Sequence, residues 1–273
     1  RALRNIPLHA LLLLACVVMA YPFVVIVLTA FKSNAEVFQN PLGLPEYLTF
    51  ENFITSWQEG GFANLFVNSM VFTGASMGLA SMVASLAAFA VVRRLTRSSG
   101  LVFLVLAAGI FLPLQLAIIP QFRVLKDLGL IDTYAGVVLV YVATSIPFGV
   151  FLMAAFMKKV PSEIAEAAII DGAGYFRLFW SVYLPLVRPA IGTFLLLQGV
   201  QVWNDYLVAL IYLSQNKAAS PLTVQLVNLV TSRGQGTELL PAAAFISMLV
   251  PLVIFFSLQR YFVRGLLAGS VKG

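Results

Sequence analysis

The polar side chains best suited to chemistry sit in one apolar stretch of the second half. Gln198, Gln201, Asp205 and Tyr212 follow one another at intervals of three, four and seven. Those intervals place side chains on one face of an α-helix. Asn204, three residues after Gln201, falls at the edge of that face. Amides and a carboxylate can hydrogen-bond ligand hydroxyls, and an aromatic ring can lie against the apolar face of a sugar ring. Asp205 is the ionisable group set deepest in an apolar run. A charge there needs water, a partner donor or a ligand beside it. The same groups could instead tie helices together, and the spacing alone fits both readings. Gln115 lies between Pro113 and Pro120. Irregular backbone at membrane depth is tolerated where it lines a cavity, so Gln115 is a second candidate for a ligand path. Asn68 and Ser69 start another apolar run and are read as helix caps.

Catalysis has few parts to draw on. The chain has one His, His9, and one Cys, Cys16. That leaves no Cys/His metal cluster and no His-based nucleophilic set. No G-x-x-x-x-G-K-[ST] phosphate loop occurs, so no nucleotide site of that kind is expected.

The elements that must position these residues are membrane spans. Hydrophobic residues are 60% of the 273 and charged residues 10%, against about 25% charged in a soluble domain. A bilayer core needs about 20 apolar residues per helix. Six runs qualify: His9–Phe31, Leu65–Val92, Leu101–Phe122, Tyr134–Met157, Pro189–Leu213 and Pro241–Phe262. The first is too long for a signal-peptide core and is read as a retained helix. The reading is one all-α membrane domain, residues 1–273. In span two, Gly74, Gly78, Ser81 and Ser85 recur at three to four residues and are expected to allow close helix packing.

The basic residues alternate between connecting segments. Arg1, Arg4, Arg93, Arg94, Arg97, Lys158, Lys159, Arg177, Arg188, Arg260, Arg264 and Lys272 make 12 on one side. Lys32, Arg123, Lys126, Lys217 and Arg233 make 5 on the other. The first set is therefore expected in the cytoplasm, with both termini. Basic residues flank apolar runs rather than aromatics, so nucleic acid is not an expected partner. The longest outer segment, Lys32–Asn64, holds Pro41, Pro45, Glu36, Glu46, Glu51 and Glu59 and should form a cap with one short helix near Phe50–Trp57.

One inner segment, residues 158–188, is unlike the rest. Pro161 suits the first position of a helix, Glu163 suits the positive end of its dipole, and Ala165, Ala167 and Ala168 favour helix. Gly172 and Gly174 are natural stops. The expected product is a rod over Glu163–Gly174 of about three turns, roughly 15–18 Å. It carries Ile164, Ala168 and Ile169 on its small, apolar side. Such a rod could seat in a groove on another protein, and it could equally lie on lipid as an interfacial helix.

Glu166-Ala167-Ala168-x-x-x-Gly172, followed by Leu184-Pro185, resembles the EAA loop of ABC importer permeases. The family prefers Ile where this chain has Val182. Pro113, Ile119-Pro120-Gln-Phe, Leu128-Gly-Leu-Ile-Asp-Thr, Trp203-Asn-Asp-Tyr-Leu-Val-Ala-Leu and the segment Gln259-Arg-Tyr-Phe-Val-Arg-Gly-Leu-Leu-Ala-Gly-Ser-Val-Lys-Gly resemble the sugar-importer branch, the last of them in particular its maltose-permease-like subunits of the second type. The resemblance covers essentially the whole chain. It implies the type I importer fold, half of a translocation path for a di- or oligosaccharide, and a location in a prokaryotic plasma membrane. Polyol or glycerol-phosphate importers share these motifs, and a secondary carrier is a further alternative. The resemblance also implies partners: a second permease subunit, two ATPase subunits that bind ATP and magnesium, and an extracytoplasmic sugar-binding protein. It places Glu163, Glu166, Ala167, Ala168, Asp171 and Gly172 in the coupling helix that docks on the ATPase. Gln115, Gln198, Gln201, Asn204, Asp205 and Tyr212 remain the expected substrate path.

Overall fold

The computed structural model describes residues 6–58, 61–231 and 239–270. Arg1, Arg4, Glu59, Arg233 and Lys272, used in the charge and loop readings, lie outside the described residues. All regular structure among the described residues is helical. Among the described residues, four helices are long and apolar enough to cross a membrane: Leu8–Ala30, Phe62–Val92, Tyr134–Met157 and Leu240–Tyr261. Two bent pairs raise the number to six if each counts as one span.

Two of the expected spans are not straight helices. Leu101–Phe122 was expected as one span with irregular backbone between Pro113 and Pro120. Instead α5 (Ser99–Ala108) runs through a tight turn at Gly109–Phe111 and meets α6 (Leu114–Asp127) at 110°. Pro113 takes an extended ψ of 135° and starts α6, whereas Pro120 lies within it. Pro189–Leu213 was expected to be continuous. Instead α11 (Arg188–Asn204) stops at Asp205, whose ψ of 136° is extended, and α12 (Leu207–Tyr212) starts anew. On its other side, α11 is bent 68° from the helical stretch Tyr175–Leu186.

The chain forms two compact units. One comprises residues 1–66 and 222–250. In it α1 (Ile6–Ala30) leads into a cap with two short helices, α2 (Asn34–Gln39) and α3 (Glu51–Gln58). The sequence had indicated only the second. Phe31, Phe53 and Phe245 pack with ring centroids 5.0–5.8 Å apart. Lys32 is fully buried and donates from Nζ to the Asn40 carbonyl, while Asn52 Nδ2 donates to the Lys32 carbonyl at 2.9 Å. The first bond partners a cation that burial would otherwise make costly, and the second satisfies a backbone carbonyl. Phe62, at the start of α4 (Phe62–Val92), packs with Leu222 and Leu229 of α13 (Leu222–Thr231) and with Ala243 of α14 (Leu240–Ser270).

The other unit comprises residues 67–221 and 251–273. Its most buried helix is α7 (Tyr134–Met157). Ala80, Ala84 and Ala88 of α4 are fully buried, and a Cβ placed on Gly149 of α7 would stand 2.7 Å from the Ala84 Cβ. Small residues here let two backbones approach closely. Of the expected stripe, only Ser85 shares in this. Gly74 and Gly78 are exposed, with nothing within 4 Å of an added Cβ. The fault in the sequence reading was one of phase, since the packed face lies a residue or two around the helix.

Candidate functional site

The first candidate is the interruption between α11 and α12. Asp205 Oδ1 accepts the Val208 N–H at 2.9 Å, which caps the first turn of α12. The same oxygen accepts the Tyr141 hydroxyl of α7 at 3.0 Å. One helical turn further along α7, the Ser145 hydroxyl donates to Gln198 Oε1 at 3.3 Å. Tyr141 and Ser145 are four apart on α7, and Gln198 and Asp205 run the other way, so the two helices meet as antiparallel neighbours. A charged cap at a helix break inside an apolar segment leaves Asp205 half-buried. Gln198 is half-buried as well, while Gln201 and Asn204 are exposed.

The single face drawn through Gln198, Gln201, Asp205 and Tyr212 is therefore a correction. The regular spacing ends at Asp205, and Tyr212 belongs to a separate helix. Tyr212 is 1% exposed, and its hydroxyl donates to Gln121 Oε1 at 3.1 Å and to the Ile118 carbonyl at 3.3 Å. It ties α12 to α6. Gln115 sits exposed near the start of α6. Sequence reasoning missed Tyr141, Ser145 and Gln121. A polar residue at mid-span in Tyr134–Met157 was a signal for the first two, but their partners are 64 and 53 residues away.

Two other polar groups hold the same unit together. Asn68, expected to cap α4, instead donates to the carbonyls of Ala218 and Ser220 at 2.8 and 2.9 Å and accepts the Tyr134 hydroxyl. The Leu128-Gly-Leu-Ile-Asp-Thr turn has a mechanical explanation. Gly129 takes a φ of +67° and Asp132 one of +61°. Asp132 Oδ1 then accepts the N–H groups of Gln215 and Asn216 at 2.8 and 3.3 Å, and Thr133 caps α7 through the Gly136 N–H at 3.0 Å.

The second candidate is the inner loop. Its rod is α8 (Ser162–Ile170), nine residues long, or about 13 Å at 1.5 Å per residue. It is shorter than the expected Glu163–Gly174. Pro161 stands one position before the first helical residue, with an extended ψ of 137°. The stop is a full Schellman arrangement. The Gly172 N–H donates to the Ile169 carbonyl and the Ala173 N–H to the Ala168 carbonyl, both at 2.9 Å. Gly172 has a φ of +82°, a region that costs an L-residue about 1–2 kcal/mol.

Ala165 is the α8 residue fully buried in the chain's own packing, and Ala168 is half-buried. Glu163, Glu166, Ala167, Asp171 and Gly172 are exposed. So are large apolar side chains. Ile170 is 85% exposed, and past the stop Phe176 is 77% and Tyr175 61% exposed. The rod is seated by one alanine and presents both acidic and apolar groups outward. Beyond it, α9 (Tyr175–Leu178) passes through one wide turn, Phe179–Tyr183, into the short α10 (Leu184–Leu186). The wide turn falls just before Pro185, the residue that cannot donate a backbone bond.

Among the described residues, no group of three or more His, Cys, Asp or Glu could hold a metal ion.

Residues 60–267 match the family profile described as binding-protein-dependent transport system inner membrane component. The chain is 36% identical to the osmoprotective compounds uptake permease protein GgtD of Synechocystis sp., over 98% of this chain and 93% of that protein. It is 33% identical to the melibiose/raffinose/stachyose import permease protein MelC of Bacillus subtilis over the full length of both. Among solved structures, it resembles a chain of a bacterial ABC transporter involved in the import of the acidic polysaccharide alginate. That match has a TM-score of 0.84 at 23% identity, covering 96% of this chain and 97% of the other. At that identity the likeness concerns the fold.

Proposed function

This chain belongs to the family of binding-protein-dependent transport system inner membrane components, and from that premise we propose that it is the permease subunit of a carbohydrate importer driven by separate ATPase subunits. As a family member with several apolar spans it is a multi-pass inner-membrane protein. The cargo is a di- or oligosaccharide, in line with the name of the Bacillus subtilis relative. The name of the Synechocystis relative favours a second cargo, a small osmoprotective compound, at similar identity.

One observation carries the coupling half of the reading. The α8 rod is closed at its stop by two backbone bonds, yet it leaves the side chains of Glu163, Glu166, Ala167, Asp171 and Ile170 exposed. Docking such a helix in a groove of an ATPase buries its apolar side and leaves its acidic groups for basic or backbone donors. ATP and magnesium are held by that partner. Two ATPase subunits move two such rods, one on this chain and one on a second permease subunit. An extracytoplasmic binding protein delivers the sugar. In this reading the 158–188 loop and both termini face the cytoplasm, and six spans cross the membrane. Gln198, Gln201, Asn204 and Asp205 contribute to the sugar path, with Gln115 at a second position.

The test is cross-linking from Ala167→Cys in native membranes, paired with labelling from either side. A product with the ATPase supports the reading. Labelling of Ala167→Cys from outside overturns it. A ligand screen of the co-purifying binding protein, including di- to tetrasaccharides and small osmoprotective compounds, fixes the cargo. Loss of uptake on collapsing the proton gradient at constant ATP would overturn the ATP-driven reading.

A further inference from the structure

Away from both candidate sites, a cleft of about 460 Å³ opens where the end of α4, the first turns of α5 and the end of α7 come together. Three cations line it: Arg94, Arg97 and Lys158. Among the described residues, no carboxylate does. The loop that carries the two arginines has a fixed shape. Ser99 is buried, its hydroxyl donates to the Thr96 carbonyl at 2.8 Å, and it accepts the Thr96 N–H at 3.3 Å. Arg94 is held at a φ of +51°, a conformation that a long side chain rarely adopts. Lys158 lies with its ammonium 4.9 Å from the centre of the Phe103 ring, another lining residue. The N-terminal turn of α5 forms one wall through Ser99, Gly100 and Phe103, and the positive end of the helix dipole favours an anion there.

We propose that this cleft binds the phosphate headgroup of an anionic phospholipid. Three neighbouring cations with no carboxylate among the described lining residues suit a phosphate, and basic pockets between spanning helices take acidic headgroups. A lipid is favoured over free phosphate by what adjoins the cleft. Leu101, Leu104 and Val105 of α5 are 63–64% exposed, an apolar flank along which acyl chains can lie while the headgroup stays among the cations. Phe103 supplies an apolar wall for the glycerol portion. Lys158 precedes α8 by only a few residues, so the bound lipid would brace the base of the docking rod. The cytoplasmic location of the cleft rests on the docking reading above, but the binding itself does not.

The test is native mass spectrometry of the full-length chain in detergent with phosphatidylglycerol, phosphatidylcholine or inorganic phosphate added. Phosphatidylglycerol is expected to be retained, and phosphatidylcholine to bind weakly and equally to all variants. Arg94→Gln and Arg97→Gln should each weaken phosphatidylglycerol binding about fivefold, the weight of one basic group at an anionic surface. Adding Lys158→Gln to both should abolish it. Both arginines are exposed, so the single variants keep their melting temperature and decide the matter even if the triple variant misfolds. Undiminished phosphatidylglycerol binding in the single variants overturns the proposal. So does displacement by inorganic phosphate at equal concentration, which marks an adventitious ion only. This readout needs no ATPase, so its failure leaves the Ala167→Cys cross-link standing, and failure of the cross-link leaves the lipid result standing.

Discussion

The break after α11 and the rod α8 both carry acidic groups in a largely apolar chain, yet they treat them in opposite ways. At the break, the chain turns its carboxylate inward. Asp205 holds Tyr141 and caps α12. At the rod, Glu163, Glu166 and Asp171 are exposed, and the stop is made by backbone alone. The difference teaches which polar residues a lone subunit needs. A group bonded within the chain is part of its fold first, whatever else it touches. A group left exposed on a rigid element is free for a partner.

The sharpest way to break that contrast is Gly172→Val. A β-branched residue at a φ of +82° disrupts the Schellman stop and re-aims everything after it. We expect sugar-stimulated ATP turnover of the assembled transporter to fall more than tenfold, while the chain still inserts. Unchanged turnover would mean that the rod's exit angle has no role in coupling.

Next in size is the pair Asp205→Ala and Asp205→Asn. Asparagine caps a helix as well as aspartate does, whereas alanine gives up about 1 kcal/mol. The alanine variant should lower both stability and uptake. The asparagine variant should restore stability in a thermal melt yet leave uptake at least tenfold down. Full uptake by the asparagine variant would reduce Asp205 to a cap.

Ile170→Asp probes the other side of the comparison. At 85% exposure the side chain touches little of its own protein, so chain stability should change by less than about 0.5 kcal/mol. Retention of the ATPase through purification should fall about tenfold. A loss of stability instead would mean that the exposed face is not free.

The smallest effect is expected from Tyr212→Phe. It removes one hydroxyl bonded to Gln121 and Ile118, worth about 1 kcal/mol, and should leave uptake intact. A transport defect would return Tyr212 to the sugar path.

The α8 region was largely legible in the sequence because its signals are local. Alanines, a proline before the first turn and a glycine at the stop act within a few residues, and the observed helix and φ of Gly172 follow them. The span-five face was misread because periodicity holds only while the helix continues. Nothing local distinguishes Asp205 as a helix-breaking cap from a polar residue on an unbroken face. What fixes it is Tyr141, 64 residues earlier. The small-residue stripe failed by phase for a related reason, since the neighbour that Ala84 meets is Gly149 of α7, far away in sequence.

By itself the sequence determined that the chain lies in a membrane, where most of its apolar runs fall, and that a short rod ends in the glycine pair Gly172 and Gly174. Apolar content, length and a left-handed glycine act without regard to distant residues. Only the tertiary structure decided which prolines bend a helix. Pro22, Pro120, Pro147 and Pro251 lie inside helices, while Pro113 stands at a 110° corner. Each removes the same backbone donor. Whether the helix continues depends on whether neighbouring helices and side chains satisfy the carbonyl set free, and those neighbours are chosen by packing.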